Sequence, residues 1–535
     1  SLAAREFGRL LTLENDFYYQ PDRDVPVFRH LKSAAEKAIG QFPAEGLAAY
    51  QLLYGAEAQR RLDEAVRDKS REKLARVSQA FFHTAAGAEA MYLLGADYWQ
   101  AGQWFSAAAC WQRLLDSGDR AGRFEPALSI QLAACRLALG EPWRVAAQLA
   151  ALKASSRSDS ITIGEREVRW FNQTGEASGW LATLLGRHSP SGEPAWPVSG
   201  GRPSRNPITE SGSPYLTAAP LDLNLEDSPL HHAVRDAHRE HIARRRAMLP
   251  TFQPLVLHDT ILYRGAAHIR AVRIGSGELL WEATPEDALT DLLTASVNDR
   301  LSGTLPPAEL LHRLWRNPAC GSLSSNGRFV FAVERLPIRS GIQPKRMVLH
   351  RDGARRLDSA GAGLSGLAAY DAATGKLRWE AGGPADGEGR ILAGVSFLGP
   401  PLPLGANVYC IVSADEKTAL LALDAATGAV QWQRVLAVHD ETIRAPEDAM
   451  ALLAGPQPSD RSHANGIAPS LADGTLVCPI SGDQVVAVDL TSRSIVWLYH
   501  GRDDPSANAP HERADNSAAS HAKETSHGQW SDVCA

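Results

Sequence analysis

The hydrophobic period of this chain changes once, and the change divides it. Over residues 1–155, apolar positions recur at i, i+3, i+4 and i+7 among Ala, Leu, Arg and Glu, the pattern of amphipathic helices. The clearest stretch is 86–118. Leu94, Gly95 and Tyr98 share one face of a first helix, Ala101-Gly102 breaks it, and Ala107, Trp111 and Leu114 form the stripe of a second. The small residues Gly95 and Ala107 fall where the two helices would cross closely, with aromatics beside them. A weaker copy follows at 126–152, with Gly140 standing where Gly102 stood, and 42–66 and 70–82 read as further helices of the same layer. Residues 156–186 form a small unit: 160–170 alternates around Gly164 as a hairpin would, and 179–186 predicts a short helix. The Pro-, Ser- and Gly-rich stretch 187–227 cannot nucleate a helix and predicts an inter-domain connector. Ser228-Pro229 then opens a helix over 228–250, with Ser as N-cap and Pro in the first turn.

From residue 251 to about 500 the period is that of strands, and four segments share one frame: 271–281, 369–379, 422–432 and 487–497. Each begins with Ala and ends with Trp: Trp281, Trp379, Trp432 and Trp497. Asp371, Asp424 and Asp489 hold the third position, where Arg273 stands in the first copy. Thr or Ser holds the sixth, and Gly277, Gly375 and Gly428 hold the seventh, where Arg493 stands in the last copy. The Asp carboxylate can accept turn N–H groups and the Gly can take a positive φ, so each segment predicts a tight hairpin ending in an indole. The role of these residues is structural. A lone hairpin is barely stable, so each indole needs a neighbouring copy to cover it. Strand-like runs at 252–265, 321–336, 405–415 and 467–483 precede the hairpins and complete four-stranded units. The Trp residues are further apart than a bare blade of about 40–45 residues allows. Helical inserts at 285–315 and 439–455, protruding from a rim, account for the excess.

Composition narrows the function more than it defines it. The chain has 535 residues, 44% hydrophobic and 22% charged, which is ordinary globular usage and long enough for three domains or two with a repeat array. With 55 Lys and Arg against 61 Asp and Glu, there is no basic footprint, which argues against a nucleic-acid partner. No run of 18 apolar residues predicts a transmembrane helix. The six cysteines (Cys110, Cys135, Cys320, Cys410, Cys478 and Cys534) include no CxxC and no adjacent pair. GxSxG and HExxH are absent, and the GxGxxG match at 361–366 is followed by a strand rather than a helix. His231, His232, His238 and His241 are the best metal candidates, since His238 and His241 can share a helix face with His231 two turns earlier. Arg235, Asp236, Arg239 and Glu240 surround them, which reads instead as a solvated charged helix with no metal.

Two resemblances sharpen the reading. The helix pairs resemble tetratricopeptide repeats at their small and aromatic positions. The Ala-x-Asp-x-x-Thr-Gly-x-x-x-Trp frame resembles the tryptophan-docking motif of quinoprotein-type (PQQ-like) β-propellers. That group includes the pyrroloquinoline-quinone alcohol dehydrogenases and the propeller lipoprotein of bacterial outer-membrane protein assembly. The helical front end, AWPVSGGRPSRN (195–206) and LPTFQPLVL (249–257) are similar to large propeller proteins of planctomycete-type bacteria. The resemblance implies an all-α tetratricopeptide-like N-terminal domain joined to an all-β quinoprotein-like propeller. Family propellers close with six to eight blades. Four copies therefore imply an open or partial array, a closed four-bladed ring being the alternative. The polar tail 501–535 reads as disordered, or as a further blade begun at HGQWSDVCA.

By resemblance the setting is the bacterial periplasm or cell envelope, and a native signal peptide could already be missing from a chain that begins Ser1-Leu2-Ala3. Quinone enzymes of the group set an adjacent Cys–Cys disulfide over the cofactor, with calcium ligands beside a catalytic Asp. This chain has no such cysteine pair, and its motif acids are explained by turns, so no catalytic residue and no cofactor are expected. The expected function is non-enzymatic protein or peptide binding and scaffolding. The alternatives are a PQQ-dependent dehydrogenase and a sensory ectodomain of a larger signalling protein.

Overall fold

The computed structural model describes residues 2–13, 16–156, 158–163, 166–186, 196–206, 239, 242–243, 253–265, 268–285, 318–334, 347–349, 355–357, 364–383, 391–414, 417–438, 467–480 and 484–501. The first part is a layer of helices: α1 (Leu2–Thr12), α2 (Leu31–Gly40), α3 (Ala44–Arg67), α4 (Arg71–Ala80), α5 (Ala85–Gln100), α6 (Trp104–Asp116), α7 (Ala127–Ala138) and α8 (Pro142–Ser155). From α3 to α8 each helix packs on the next in chain order. Side-chain oxygens start two of them: Ser70 accepts from Lys73 N–H at α4, and Thr84 accepts from Gly87 N–H at α5. Gly102 and Gly140 end α5 and α7 with φ near +70°, which turns the chain into the following helix. At the α5–α6 crossing a Cβ on Gly95 would lie 2.3 Å from the Trp111 indole, so the glycine is what lets that ring fit. A hairpin, β3 (Ser160–Ile163) with β4 (Arg166–Arg169), and α9 (Ala177–Leu184) follow, and share a core with α7 and α8.

Four antiparallel sheets make up the second part. Blade 1 is β5 (Leu255–Leu257), β6 (Thr260–Arg264), β7 (Ile269–Arg273) and β8 (Leu279–Ala283). In blade 2, β9 (Leu323–Ser325), β10 (Phe329–Glu334), β13 (Gly366–Asp371) and β14 (Leu377–Gly382) pair in that order, with a separate two-stranded ribbon, β11 (Met347–Leu349) and β12 (Arg355–Leu357), arising between β10 and β13. Blade 3 contains β15 (Ser396–Phe397), β16 (Leu402–Leu404), β17 (Asn407–Ala414), β18 (Lys417–Asp424) and β19 (Val430–Val438). Blade 4 contains β20 (Ser470–Ala472), β21 (Thr475–Pro479), β22 (Gln484–Asp489) and β23 (Ile495–His500).

The cores lie between blades, and strand alternation builds them. Val330 and Ala332 of β10 face blade 1, beside Leu262, Ala271 and Trp281. Phe329, Phe331 and Val333 of the same strand face blade 3, beside Val408, Cys410 and Leu421. Tyr409, Ile411 and Leu420 of blade 3 face Leu476, Val486 and Val488 of blade 4. A strand covered on both faces reads as an unbroken apolar run, as FVFAV does at 329–333. The described residues thus form an open, partial propeller beside a helical layer.

Two segments lie elsewhere than their local sequence suggests. Within the first 155 residues, β1 (Tyr18–Tyr19) and β2 (Val27–His30) leave the helical layer and extend blade 4, where Val27, Phe28 and Arg29 pair with Tyr499, Leu498 and Trp497. Within the stretch read as a connector, residues 196–206 run along the first strands of three blades. Trp196 and Val256 exchange backbone hydrogen bonds at 2.7 and 3.2 Å, Ser325 N–H donates to Pro197 O at 2.7 Å, and Leu471 N–H donates to Pro203 O at 2.9 Å. Val198 is buried against Leu402 and Leu404 of blade 3. The Gly200-Gly201 pair at φ +83° and +78° makes the bend, with Gly201 against the Trp196 ring. The inserts at 285–315 and 439–455 lie outside the described residues except residue 285. So does the helix 228–250, apart from Arg239, Ile242 and Ala243, which are helical.

Candidate functional site: the blade seams and their junction with the helices

Each frame folds into the same small machine. Across the hairpin the leading Ala sits directly opposite the Trp: Ala271 and Trp281, Ala369 and Trp379, Ala422 and Trp432, Ala487 and Trp497. A register shift follows each of these pairs and starts the turn. Asp371 Oδ1 accepts from Ala373 N–H (3.2 Å), Thr374 N–H (3.1 Å) and the Thr374 hydroxyl (2.9 Å). Its other oxygen takes Arg378 at 2.7 Å, and these contacts, Arg378 first, hold the carboxyl near pKa 2. Asp424 repeats the set with Ala426 N–H (3.0 Å), Thr427 N–H (2.9 Å) and the Thr427 hydroxyl (2.8 Å). Asp489 takes Thr491 N–H, Ser492 N–H and the Thr491 hydroxyl, one position earlier in the frame. In the first copy Arg273 reverses the charge and is held by Asp259 (2.7 Å) and Glu278 (3.1 Å). Gly277, at φ +71°, still closes that turn.

The indoles join the blades. Trp281, 8% exposed, donates from Nε1 to Ala372 O of blade 2 at 2.9 Å and lies on Gly375, where a Cβ would come within 2.4 Å of the ring. Trp379, also 8% exposed, donates to Ala425 O of blade 3 at 3.0 Å and lies on Gly428, where a Cβ would come within 2.8 Å. The third seam differs. Trp432 is half-buried, and its neighbour in blade 4 is Arg493, whose φ is +58° and whose guanidinium lies 5.6 Å from the ring centroid. Arginine there accepts the left-handed conformation glycine would take freely, and gives a cation–π contact in return. Trp497 is half-buried in β23, with Arg29 of β2 opposite it.

The helical layer rests on this third seam. Gln79 donates to Ser492 O at 3.3 Å, Arg144 meets Asp473 at 3.2 Å, and Phe105 packs into the core shared by blades 3 and 4. Gly405 and Gly474 allow close approach to Gly102 O and Ala109. A cavity of about 20 Å³, the size of one water, remains between Arg71, Tyr98, Asn407, Tyr409, Trp432 and Arg493. Arg493 hydrogen-bonds Tyr98, and burial is the main cause that raises the Tyr98 and Tyr409 hydroxyl pKa values. Asp16 ties the chain's start to blade 3: it accepts from His30 (3.2 Å), Lys32 (3.0 Å) and Arg434 (2.8 Å).

Among the described residues, the motif acids and the cysteines do not fit a quinone and calcium. The three motif carboxylates are committed to turn donors, and the five described cysteines are buried and none is adjacent to another in sequence, with Cys478 pushed up to about 12 by burial. His231, His232, His238 and His241 lie outside the described residues. Sequence reasoning missed the pairing of 196–206 with the first strands of the blades and the strand at 27–30. The first left one signal, Trp196 and Val198 spaced as alternate strand residues before a Gly-Gly bend.

Residues 360–524 match the family described as outer membrane protein assembly factor BamB. No curated protein matches the chain. Among solved structures, BamB from Moraxella catarrhalis is 15% identical, over 48% of this chain and 49% of that one, with a TM-score of 0.24. Quinohemoprotein alcohol dehydrogenase from Comamonas testosteroni is 16% identical, over 57% and 41%, at 0.28. A europium-containing methanol dehydrogenase is 16% identical, over 48% and 43%, at 0.25. The chain spans less than half the length of each of these structures. With its repeated indole seams and the family match over 360–524, the second part of the chain is a PQQ-like, quinoprotein-type β-propeller.

Proposed function

We propose that this chain is a non-enzymatic protein-binding scaffold of the bacterial cell envelope, whose propeller rim takes extended segments of partner proteins by strand addition. The observation that carries the reading is at blade 4. Its outer strand β23 already accepts β2, a segment from the far end of the chain, as an added antiparallel strand. Among the described residues, β8 and β19 offer the same kind of edge, as does β14 before Ala381, where Ile391 pairs with it, and these strands carry exposed apolar side chains: Leu279, Leu377, Val430, Val435 and Val438, the last 65% exposed. An outer strand with unpaired backbone groups and apolar side chains is a template for another strand. The family matched over 360–524, described by its role in outer-membrane protein assembly, supports protein partners and an envelope setting. Dehydrogenation with a quinone is disfavoured by the commitment of Asp371, Asp424 and Asp489 to their turns.

The test is photocrosslinking in cells from residues placed at Val435, Val438 and Leu377, with Arg60 on the helical layer as the comparison position. Protein adducts from the strand positions support the reading. Adducts that are no more abundant there than at Arg60 overturn it.

A further inference from the structure

The strand added to blade 4 is held far less firmly than the strand it covers. Between α1, which ends at Thr12, and α2, which begins at Leu31, β1 and β2 form a strap across the outer edge of that blade. Three residue pairs hold β2 there: Val27 with Tyr499, Phe28 with Leu498 and Arg29 with Trp497. Beneath it, β23 is paired on its other side with β22 from Ile495 to His500. No side chain from Asp16 to Arg29 is fully buried, and Phe17, Tyr19 and Val25 are exposed apolar groups. Pro21 and Pro26 lie in the stretch, and neither can donate to a ladder. A short ladder with little buried apolar surface belongs to the low-stability end of a fold. Because α1 and α2 pack against each other, the strap can lift with both ends anchored.

One carboxylate fastens it. Asp16 accepts from Lys32 of α2 at 3.0 Å and from Arg434 of β19 at 2.8 Å, and lies 3.2 Å from His30 Nε2. Arg434 also hydrogen-bonds Tyr18. Lys32 and Arg434 sit on elements that stay in place when the strap lifts, so its departure leaves two cations beside an open strand edge. A segment that replaces the strap needs backbone groups to pair with β23, apolar side chains to lie against Leu498 and Tyr499, and a carboxylate for Arg434 and Lys32.

We propose that the strap is a self-ligand: it occupies the blade 4 edge until an extended partner segment bearing a carboxylate displaces it. This inference rests on the strand-addition reading and adds to it the chemistry of the partner and a gate on one edge.

The experiment follows a fluorescein-labelled peptide of residues 16–30 by fluorescence anisotropy on the full chain. Four forms are compared: wild type, Asp16→Asn, and the double variant Val27→Cys with Tyr499→Cys, oxidised and reduced. Pro26 O accepts from His500 N–H at 3.1 Å, so the adjacent pair Val27 and Tyr499 is a non-hydrogen-bonded one, close enough for a disulfide. The tethered strap competes at an effective concentration of about millimolar, so wild type should take up the peptide weakly. Asp16→Asn should bind it at least about fivefold more tightly, and a peptide carrying the same change should bind that chain about fivefold less well. The oxidised double variant should bind none, and reduction, which also controls for folding, should restore uptake. Equal binding by the oxidised and reduced forms, no gain from Asp16→Asn, or no binding to any form overturns the proposal. Crosslinking from Val435, Val438 and Leu377 reads other edges: adducts there without peptide exchange overturn the gate alone, and exchange without adducts overturns the rim reading alone.

Discussion

Replacing Trp379 by Ala tests the seam directly. The ring is 8% exposed, its Nε1–H donates to Ala425 O at 3.0 Å, and one face rests on Gly428. Emptying such a site costs about 3–5 kcal/mol. The Ala425 carbonyl, left without its donor, adds roughly 1 kcal/mol. Trp432 offers an internal comparison within the same chain. It is half-buried and faces the Arg493 guanidinium rather than a glycine floor, so Trp432→Ala loses a cation–π contact of about 0.5–1 kcal/mol and far less burial. Its total should be about half that of Trp379→Ala. Urea unfolding followed by circular dichroism measures both, and limited proteolysis shows where each variant opens. Trp379→Ala should be cut first between blades 2 and 3. A Trp379→Ala loss below about 1 kcal/mol, or one no larger than that of Trp432→Ala, would refute the idea that buried indoles hold consecutive blades together.

Other substitutions probe the rest of the architecture. Asp424→Ala strips three donors of their acceptor and should cost roughly 1–3 kcal/mol in the same urea assay, with the loss largely recovered by Asn. Val198→Asp places an unpaired charge among Leu402 and Leu404 and should cost about 3–5 kcal/mol, whereas Ser204→Asp on the exposed side of the same segment should be close to neutral. Asp16 is held below the ordinary carboxyl range, chiefly by His30, with Arg434 and Lys32 assisting. Its folded pKa lies below the unfolded value of about 3.9, so its contribution is complete above that value and is lost as pH falls below it. Asp16→Asn should therefore lower the melting temperature at neutral pH and flatten its decline under acid.

What the sequence made legible is what is set by neighbours along the chain. The four turns follow from residues within eleven positions of one another, and the Ala that opens each frame is small because the indole stands directly across the hairpin. Gly95 and Trp111 were readable for the same reason: two adjacent helices, one small residue and one large one. The substitution of Arg493 for glycine marked the third seam as different, but the cause became visible only with α4, α5 and α6 packed around it. Neither β2 nor residues 196–206 announces its partner. Val27–His30 is too short to show a period, and the 196–206 stretch is broken by Pro197, Gly200, Gly201 and Pro203, which carry the signature of a loop.

Those two segments also explain how an open array of blades can be stable. In a closed ring the edge and axis of each blade are protected by the others. Here protection comes from distant parts of the same chain. Residues 196–206 hydrogen-bond to the first strands of blades 1 and 2 and to the first strand of blade 4, while Val198 fills space beside blade 3, so one segment contacts all four blades. Strand β2 covers the outer edge of blade 4, and Asp16 ties it to Arg434 of blade 3. The helical layer seals the seam between those two blades, where the indole floor is weakest. The helices are therefore part of the propeller's stability, and separating the chain near residue 186 should release a propeller that lacks both its edge strand and the cover of its third seam.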